Sequence, residues 1–189
     1  MNSTKRTFDL LFAMIVGTLT IVPMIFIAVL IKLDSKGPIL YWSARMGYQN
    51  KVFLMPKFRS MQIRTPTLPT HLLTDPNQYL TGIGKYLRKT SLDELPQIWS
   101  ILRGDMSVVG PRPALFNQQD LIELRNKNGI QLLMPGLTGW AQVNGRDELD
   151  ISEKVGFDLE YLQCKSLLFD LKILSITIKK IFSRDGISH

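Results

Sequence analysis

The feature that most constrains this chain is an uninterrupted apolar run near its N-terminus. Residues 10–31 carry no formally charged side chain over 22 consecutive positions. A helix needs about 20 such residues to cross the hydrocarbon core of a bilayer, so this run belongs in lipid. No small-residue cleavage pattern follows it, and residues 33–38 are typical of a turn. We therefore expect the segment to remain attached rather than to be removed as a signal peptide.

Two arrangements of this segment are open: a helix that spans the bilayer, and a broken helix that enters and leaves on one side. Pro23 lies near the middle, where it removes a backbone hydrogen bond and favours a bend. Positive charge flanks both ends of the run, at Lys5, Arg6, Lys32 and Lys36. The positive-inside rule then places both flanks in the cytoplasm. We predict a membrane-embedded, reentrant segment over residues 1–32, with Thr18 and Thr20 bonding the freed carbonyls.

The remainder of the chain, residues 33–189, is predicted to form one domain, because no repeat or second boundary interrupts it. Strands are predicted at residues 39–42 and 52–55, and residues 82–84 are predicted to form a turn. Helical spacing is found at residues 92–102, 118–125, 152–162 and 167–182. The sequence thus predicts a compact, helix-rich, mixed α/β fold. The last helix is amphipathic and basic, so it either covers the core or lies at lipid headgroups.

The charge and the cysteine content narrow the classes of partner and of site. Lys and Arg total 23 against 16 Asp and Glu, a formal charge of +7. This excess favours phosphate-bearing partners: nucleic acid, anionic lipid or phosphorylated substrates. Cys164 is the only cysteine, which excludes an intrachain disulfide and a cysteine-based zinc cluster. His71 and His189 are the only histidines, so a histidine-rich metal site is equally unexpected, and any metal should be bound by oxygen atoms.

Residues 88–97, Arg-Lys-Thr-Ser-Leu-Asp-Glu-Leu-Pro-Gln, are the most informative stretch. Thr90 or Ser91 can cap a helix, and Glu94 is placed to complete a capping box. One interpretation is that Asp93 and Glu94 are ordinary first-turn acids that complement the helix dipole. The other is chemical: cations lie just upstream, so one carboxylate could attack phosphorus while the other holds Mg²⁺.

Two further stretches contain candidate binding residues. In residues 104–113, flanking prolines restrict Arg112 and hold its guanidinium ready to grip a phosphate. Residues 135–146 are punctuated by glycine and offer Gln142, Asn144 and Arg146, which could line a nucleotide or sugar pocket. Ordinary loops would also explain both stretches.

These motifs together resemble the small monotopic phosphoglycosyl transferases, a bacterial sugar transferase family that starts lipid-linked glycan assembly. The resemblance extends over nearly the whole chain. It rests on Lys5-Arg6 with Asp9, and on residues 57–61 (Lys-Phe-Arg-Ser-Met), 88–97, 104–113 and 135–146. One departure affects the membrane segment, because Val22 precedes Pro23 where the family commonly has serine.

The resemblance implies a reentrant membrane segment, a catalytic domain on the cytoplasmic face of the bacterial inner membrane, and a two-step reaction that depends on Mg²⁺. Asp93 would attack the β-phosphate of a UDP-sugar and release UMP, and undecaprenyl phosphate would then take the phosphosugar. Downstream glycosyltransferases are expected to use the product. Asp93 and Glu94 would be the metal ligands. Arg88 and Arg112 would stabilise phosphates, with Lys57, Arg59, Gln142, Asn144 and Arg146 as further pocket residues.

Two other functions compete with this expectation. A membrane-tethered protein that binds nucleotide sugar or anionic lipid without catalysis would explain the charge, the apolar segment and Arg112, but would leave Asp93 and Glu94 without a task. Nucleic-acid binding is supported by charge alone, because no nucleic-acid motif or aromatic stacking platform is present, and no nucleic-acid partner is expected. The sequence does not identify the sugar, the glycan pathway or the oligomeric state.

Overall fold

The computed structural model describes residues 3–65, 75–145 and 148–183. Within these ranges the helices are α1 (Ser3–Asp34), α2 (Gly82–Lys89), α3 (Ile98–Arg103), α4 (Gln119–Lys127), α5 (Trp140–Asn144), α6 (Ile151–Cys164) and α7 (Leu167–Ser183). The strands are β1 (Leu40–Met46), β2 (Val52–Phe58), β3 (Ser107–Val109) and β4 (Gly136–Thr138). Short 3₁₀ segments lie at Tyr48–Asn50, Pro76–Tyr79, Leu92–Gln97 and Ile130–Leu132. The predicted helix-rich mixed fold is confirmed at this level.

The apolar run forms one helix that continues through Pro23, so the expected break is not seen as an interruption of α1. The two threonines also act differently from the prediction. Thr18 and Thr20 donate to the carbonyls of Met14 and Val16, at 2.9 and 2.7 Å, rather than to the Leu19 carbonyl four residues before the proline. At 1.5 Å per residue the 32 residues of α1 extend over about 48 Å.

Both ends of α1 are packed on the rest of the domain. Near its start, Asp9 and Ala13 are fully buried, and near its end Ile27 and Ile31 pack against Phe58 and Leu87. The opposite side of the helix is apolar and at least half exposed at Leu11, Met14, Ile15, Leu19, Ile21, Val22, Ile25, Phe26, Val29 and Leu33. α1 therefore has one side packed on the domain and one unpacked apolar side, by length and composition suited to lipid.

The strands form two separate two-stranded sheets. β1 and β2 form an antiparallel hairpin in which Ser43 faces Met55, so both predicted strands are confirmed and extend further than expected. β3 and β4 pair in parallel, with Val109 opposite Thr138. This second pair was not predicted, because three-residue strands are too short to show a hydrophobic period.

The predicted helices at residues 118–125, 152–162 and 167–182 are confirmed as α4, α6 and α7. The prediction of a turn at residues 82–84 is wrong: these residues begin α2, whose N-cap Thr81 accepts a hydrogen bond from the Gly84 amide. In α7, Ile173 is fully buried in the main core. Leu168, Leu171, Ile178 and Ile181 remain exposed, so α7 both covers the core and presents apolar surface.

Candidate active site

The Asp93–Glu94 pair lies on a 3₁₀ segment, not on the first turn of an α-helix. α2 ends with Thr90 as its C-cap, Ser91 adopts a left-handed conformation (φ 54°), and Leu92–Gln97 follows as 3₁₀ helix before α3 begins. The predicted capping box is wrong, because the Ser91 side chain forms no cap hydrogen bond. A positive φ is unusual outside glycine, so Ser91 marks a sharp change of chain direction directly before the acids.

Glu94 is held by two cations from different parts of the chain. Lys57 Nζ on β2 donates to Glu94 Oε1 at 2.7 Å. Arg112 Nη2 donates to the same oxygen at 2.7 Å, and Arg112 Nη1 reaches Oε2 at 3.4 Å. Burial alone would raise the pKa of Glu94, but the charges and hydrogen bonds of Arg112 and Lys57 hold it well below its usual value. Glu94 is therefore an ionised carboxylate with a long, weak contact on Oε2.

Asp93 has a different environment from its neighbour. Its side chain is buried, yet among the residues that the structure describes no hydrogen bond to its carboxylate is found. Burial raises the pKa of Asp93, the charge of Lys57 lowers it, and Glu94 raises it again, with a net upward shift. Arg88 and Arg112 also act to lower it. A desolvated carboxylate without fixed partners is suited to nucleophilic attack or to metal binding.

The cations reach the carboxylate pair from three elements. Lys57 is near the end of β2, Arg88 is near the end of α2, and Arg112 follows β3. Arg88 Nε donates to Ser60 Oγ at 3.1 Å, which fixes its guanidinium beside the hairpin. Among the residues that the structure describes, these three cations surround two carboxylates, and this set of five side chains has a net positive charge. Such a site can accept an anionic group such as a phosphate.

The structure also identifies Arg45 on β1, which the sequence analysis missed. Burial and the charge of Arg112 lower the pKa of Arg45 to about 10, and the charge of Glu94 raises it, so its guanidinium lies near the cluster. Its Nη1 donates to the Pro113 carbonyl at 3.2 Å. The predicted strand ended at residue 42. Alternate residues of a strand face the same side, so a strand continued to residue 45 would have placed Arg45 on the inward face with Ser43.

The other predicted pocket residues are placed as follows. Arg59 is buried and donates to the carbonyls of Ser35 and Lys36, at 2.8 and 2.6 Å, which ties β2 to the end of α1. Its hydrogen bonds are thus structural. Gln142 Nε2 donates to the Leu137 carbonyl and Asn144 Nδ2 to the Trp140 carbonyl. Arg146 lies outside the described residues.

Gln142 is nevertheless placed close to the Arg112 loop. β3 and β4 are parallel, so the residues after their carboxyl ends meet at one edge of the sheet. Gln142 Oε1 is buried without a hydrogen-bond partner among the described residues, and it lies near Gly139 and Gly110. An unpartnered buried acceptor at this edge could receive a hydrogen bond from a ligand.

The donor set determines whether Mg²⁺ could bind here. The described residues contain no group of three or more His, Cys, Asp or Glu side chains that could hold a metal. Mg²⁺ is commonly held by one or two carboxylates, with substrate phosphates and water as the other ligands. The open Asp93 carboxylate and the weakly bonded Oε2 of Glu94 fit that pattern. The site therefore suits a metal that arrives with, or is completed by, a phosphate-bearing substrate.

Comparison with known proteins places this geometry in context. Residues 1–184 match the model of a family described as bacterial sugar transferase. The chain is 40% identical over 200 residues to an undecaprenyl-phosphate glucose phosphotransferase of Komagataeibacter xylinus, an alignment that covers 96% of this chain and 36% of that protein. It is 41% identical over 190 residues to a UDP-glucose:undecaprenyl-phosphate glucose-1-phosphate transferase of Escherichia coli (strain K12), covering 94% of this chain and 40% of that one.

A third relative is an uncharacterised sugar transferase of Bacillus subtilis (strain 168), which is 37% identical over 185 residues. That alignment covers 98% of this chain and 90% of the relative. The chain thus spans less than half the length of the first two relatives and nearly all of the third.

Proposed function

Because the chain belongs to the bacterial sugar transferase family, we propose that it transfers a sugar 1-phosphate from a UDP-sugar to undecaprenyl phosphate and releases UMP. The observation that carries this proposal is the contrast within the carboxylate pair. Glu94 is ionised and held by Lys57 and Arg112, whereas Asp93 is buried with a raised pKa. Adjacent acids with such different environments suit different tasks.

In the first step, an Asp93 carboxylate oxygen forms a bond to the β-phosphorus of the UDP-sugar. The bond from that phosphorus to the bridging oxygen breaks, and UMP leaves with the electron pair. In the second step, a phosphate oxygen of undecaprenyl phosphate attacks the same phosphorus, and the bond to Asp93 breaks. The product is a lipid diphosphate sugar, a suitable acceptor for later glycosyltransferases, and the Asp93 carboxylate is restored.

The surrounding cations would provide most of the remaining catalysis. Phosphoryl transfer needs positioning and charge neutralisation more than proton carriers. Arg88 and Arg112 would bind the phosphates, with Lys57 and Arg45 adding positive charge close to Glu94. Asp93 and Glu94 would hold Mg²⁺, which when bound neutralises charge on the diphosphate and the leaving group. Gln142 is the best-placed of the predicted uncharged pocket residues.

Detergent-purified protein tests the function when incubated with Mg²⁺, undecaprenyl phosphate and a panel of UDP-sugars. UDP-glucose comes first in the panel, because two of the relatives above are named for glucose. We expect UMP from at least one donor, and loss of at least about 1000-fold in turnover for Asp93→Asn. Transfer of radiolabelled phosphosugar to protein in the absence of lipid, absent in Asp93→Asn, would detect the covalent intermediate.

Each of the other possible results would indicate a different function or mechanism. Release of UDP means glycosyl transfer, and contradicts attack on the β-phosphorus. Binding of UDP-sugar without release of either nucleotide favours a membrane-tethered binding protein. UMP release that persists in Asp93→Asn removes the covalent step while leaving phosphosugar transfer intact.

We also propose that α1 is embedded in the cytoplasmic membrane with both ends on the cytoplasmic side, in agreement with a reentrant rather than a spanning segment. The support is that one domain holds both ends. Lys5 forms an ion pair with Asp170 at 3.0 Å, Arg6 donates to the carbonyl of Ile101 at 2.7 Å, and Arg59 holds the turn after α1. The exposed apolar side of α1 would then face the acyl chains.

Cysteine labelling in intact cells tests this topology. In a Cys164→Ser background, Thr4→Cys and Lys36→Cys place a thiol at either end of α1, and Cys164 is exposed and therefore replaceable. A membrane-impermeant maleimide should label both only after lysis. Labelling of one end in intact cells would show that α1 spans the bilayer.

A further inference from the structure

The loop that holds Arg112 can be fixed almost only through its carbonyl groups. Residues 111–113 have the sequence Pro-Arg-Pro, and proline has no backbone N–H, so the Arg112 amide is the single donor of the loop. Most hydrogen bonds that restrain its backbone must therefore come from donors elsewhere. The orientation of the Arg112 side chain depends on those donors.

Each of the three carbonyls has such a donor. The Gly136 amide on β4 donates to the Pro111 carbonyl at 2.9 Å. Arg125 Nη1 on α4 donates to the Arg112 carbonyl at 2.8 Å, and Arg45 Nη1 donates to the Pro113 carbonyl at 3.2 Å. The contact from Arg125 is the shortest of the three, and it falls on the residue whose side chain binds Glu94.

Arg125 is itself fixed by a buried partner. Its Nε and Nη2 donate to Asp158 Oδ2 on α6 at 3.0 and 2.6 Å, and the Asp158 side chain is 2% exposed. A buried ion pair adds little stability over a well-packed apolar pair, because both charges lose their hydration. The planar guanidinium does offer a fixed geometry, in which one edge binds the carboxylate while another nitrogen binds the carbonyl.

We propose that Arg125, oriented by Asp158, is a positioning residue that fixes Arg112 for phosphate binding. A series of hydrogen bonds connects α6 to the site. Asp158 binds Arg125, Arg125 binds the Arg112 carbonyl, and the Arg112 side chain binds Glu94. The inference rests on the proposed function, because it assumes that Arg112 binds a substrate phosphate. Arg125 itself does not touch substrate.

Arg125→Lys is the primary test, because it retains the charge but replaces the planar fork with one ammonium group. A lysine cannot hold both Asp158 and the Arg112 carbonyl in the native geometry. We expect the KM for the UDP-sugar to rise roughly tenfold, in the same direction as in Arg112→Lys. Asp158→Asn should raise KM by a smaller factor, since the Arg112 carbonyl keeps its donor. The matched control, Arg103→Lys, alters an arginine paired with Asp105 near the surface and should leave KM unchanged.

A double variant separates positioning from a general loss of structure. If Arg125 acts through Arg112, adding Arg125→Lys to Arg112→Lys should change KM by less than about twofold, because the contact of the Arg112 guanidinium with the substrate phosphate is already lost. A merely structural role predicts an unchanged KM, with kcat lowered only in proportion to the unfolded fraction, and either that result or additive effects on KM would overturn the inference. Absence of UMP release from the wild type rejects the proposed function itself, and the inference with it, so the two failures are distinguishable.

Discussion

Two ionic clusters in this protein are both largely buried and have opposite charge balance. The Asp93–Glu94 cluster consists of Lys57, Arg88, Asp93, Glu94 and Arg112, three cations with two carboxylates. The Lys5 cluster consists of Lys5, Asp9, Tyr161 and Asp170, one cation with two carboxylates.

The carboxylates of the Lys5 cluster are held by donors from the protein itself, both side chains and a backbone amide. Lys5 bonds both Asp9 and Asp170, Tyr161 donates to Asp170 at 2.8 Å, and the Val108 amide donates to Asp9 at 3.1 Å. Burial and Asp170 raise the pKa of Tyr161, which stays a neutral donor. These contacts tie α1 to β3, α6 and α7. The comparison teaches that surplus cations suit a cluster to an anionic ligand, whereas the surplus carboxylates of the Lys5 cluster are held by internal donors, with Asp9 Oδ2 alone left without a hydrogen bond among the described residues.

Of the substitutions considered, Glu94→Gln should destabilise the Asp93–Glu94 cluster most. Glu94→Gln leaves Lys57 and Arg112 without their shared anion, so we expect a loss of about 4 kcal/mol in the free energy of unfolding and of at least about 100-fold in kcat. The pKa of Glu94 is depressed in the folded state, so its contribution is present above the ordinary value of 4.5 and is lost as the pH falls through the folded value. Denaturation at pH values from about 8 down to about 3 should show a constant gap to wild type above the ordinary value and a narrowing gap below it; a gap that widens on acidification would contradict this account.

In the Lys5 cluster the cation, not an acid, should be the sensitive member. Lys5→Met leaves Asp9 and Asp170 buried with no compensating charge, and we expect about 3 kcal/mol of destabilisation. Because this cluster does not line the site, the KM for the UDP-sugar should stay within twofold of wild type. Arg103→Met is the control: Arg103 is exposed and its partner Asp105 partly so, and this pair should contribute less than about 1 kcal/mol. Equal losses in the two variants would show that Lys5 contributes no more to stability than the surface arginine does.

The sequence predicted the parts of this arrangement that depend on neighbours along the chain. Adjacent acids after two cations identified residues 88–97, and flanking prolines identified Arg112. Periodicity located α4, α6 and α7 because each helix is long enough to display its period. The family resemblance drawn from these motifs is confirmed.

What could not be predicted depends on contacts between distant segments. Lys57 and Glu94 are separated by 37 positions, and no local sequence pattern predicts their hydrogen bond. The sequence contains the residues of a capping box, Ser91 and Glu94, but the box does not form. Ser91 adopts a left-handed conformation because the chain turns sharply after α2. Arg59, which the family resemblance implied as a pocket residue, donates to two backbone carbonyls of the segment after α1, contacts that its neighbours in the sequence do not indicate.

The smallest expected effect concerns stability at Asp93, and it has the opposite sign to that at Glu94. The folded-state pKa of Asp93 is raised, so the folded protein binds this proton more tightly than the unfolded chain does. Ionising Asp93 therefore costs stability, increasingly as the pH rises above the ordinary value of 3.8. Asp93→Asn should be more stable than wild type at pH 8, by on the order of 1 kcal/mol, and the gain should vanish near pH 4. Thermal unfolding in detergent at both pH values measures this, with Asp105→Asn as a control at a partly exposed aspartate outside the cluster. A less stable Asp93→Asn at pH 8 would mean that the carboxylate is stabilised by the three cations, and that its reactivity does not come from a strained, desolvated charge.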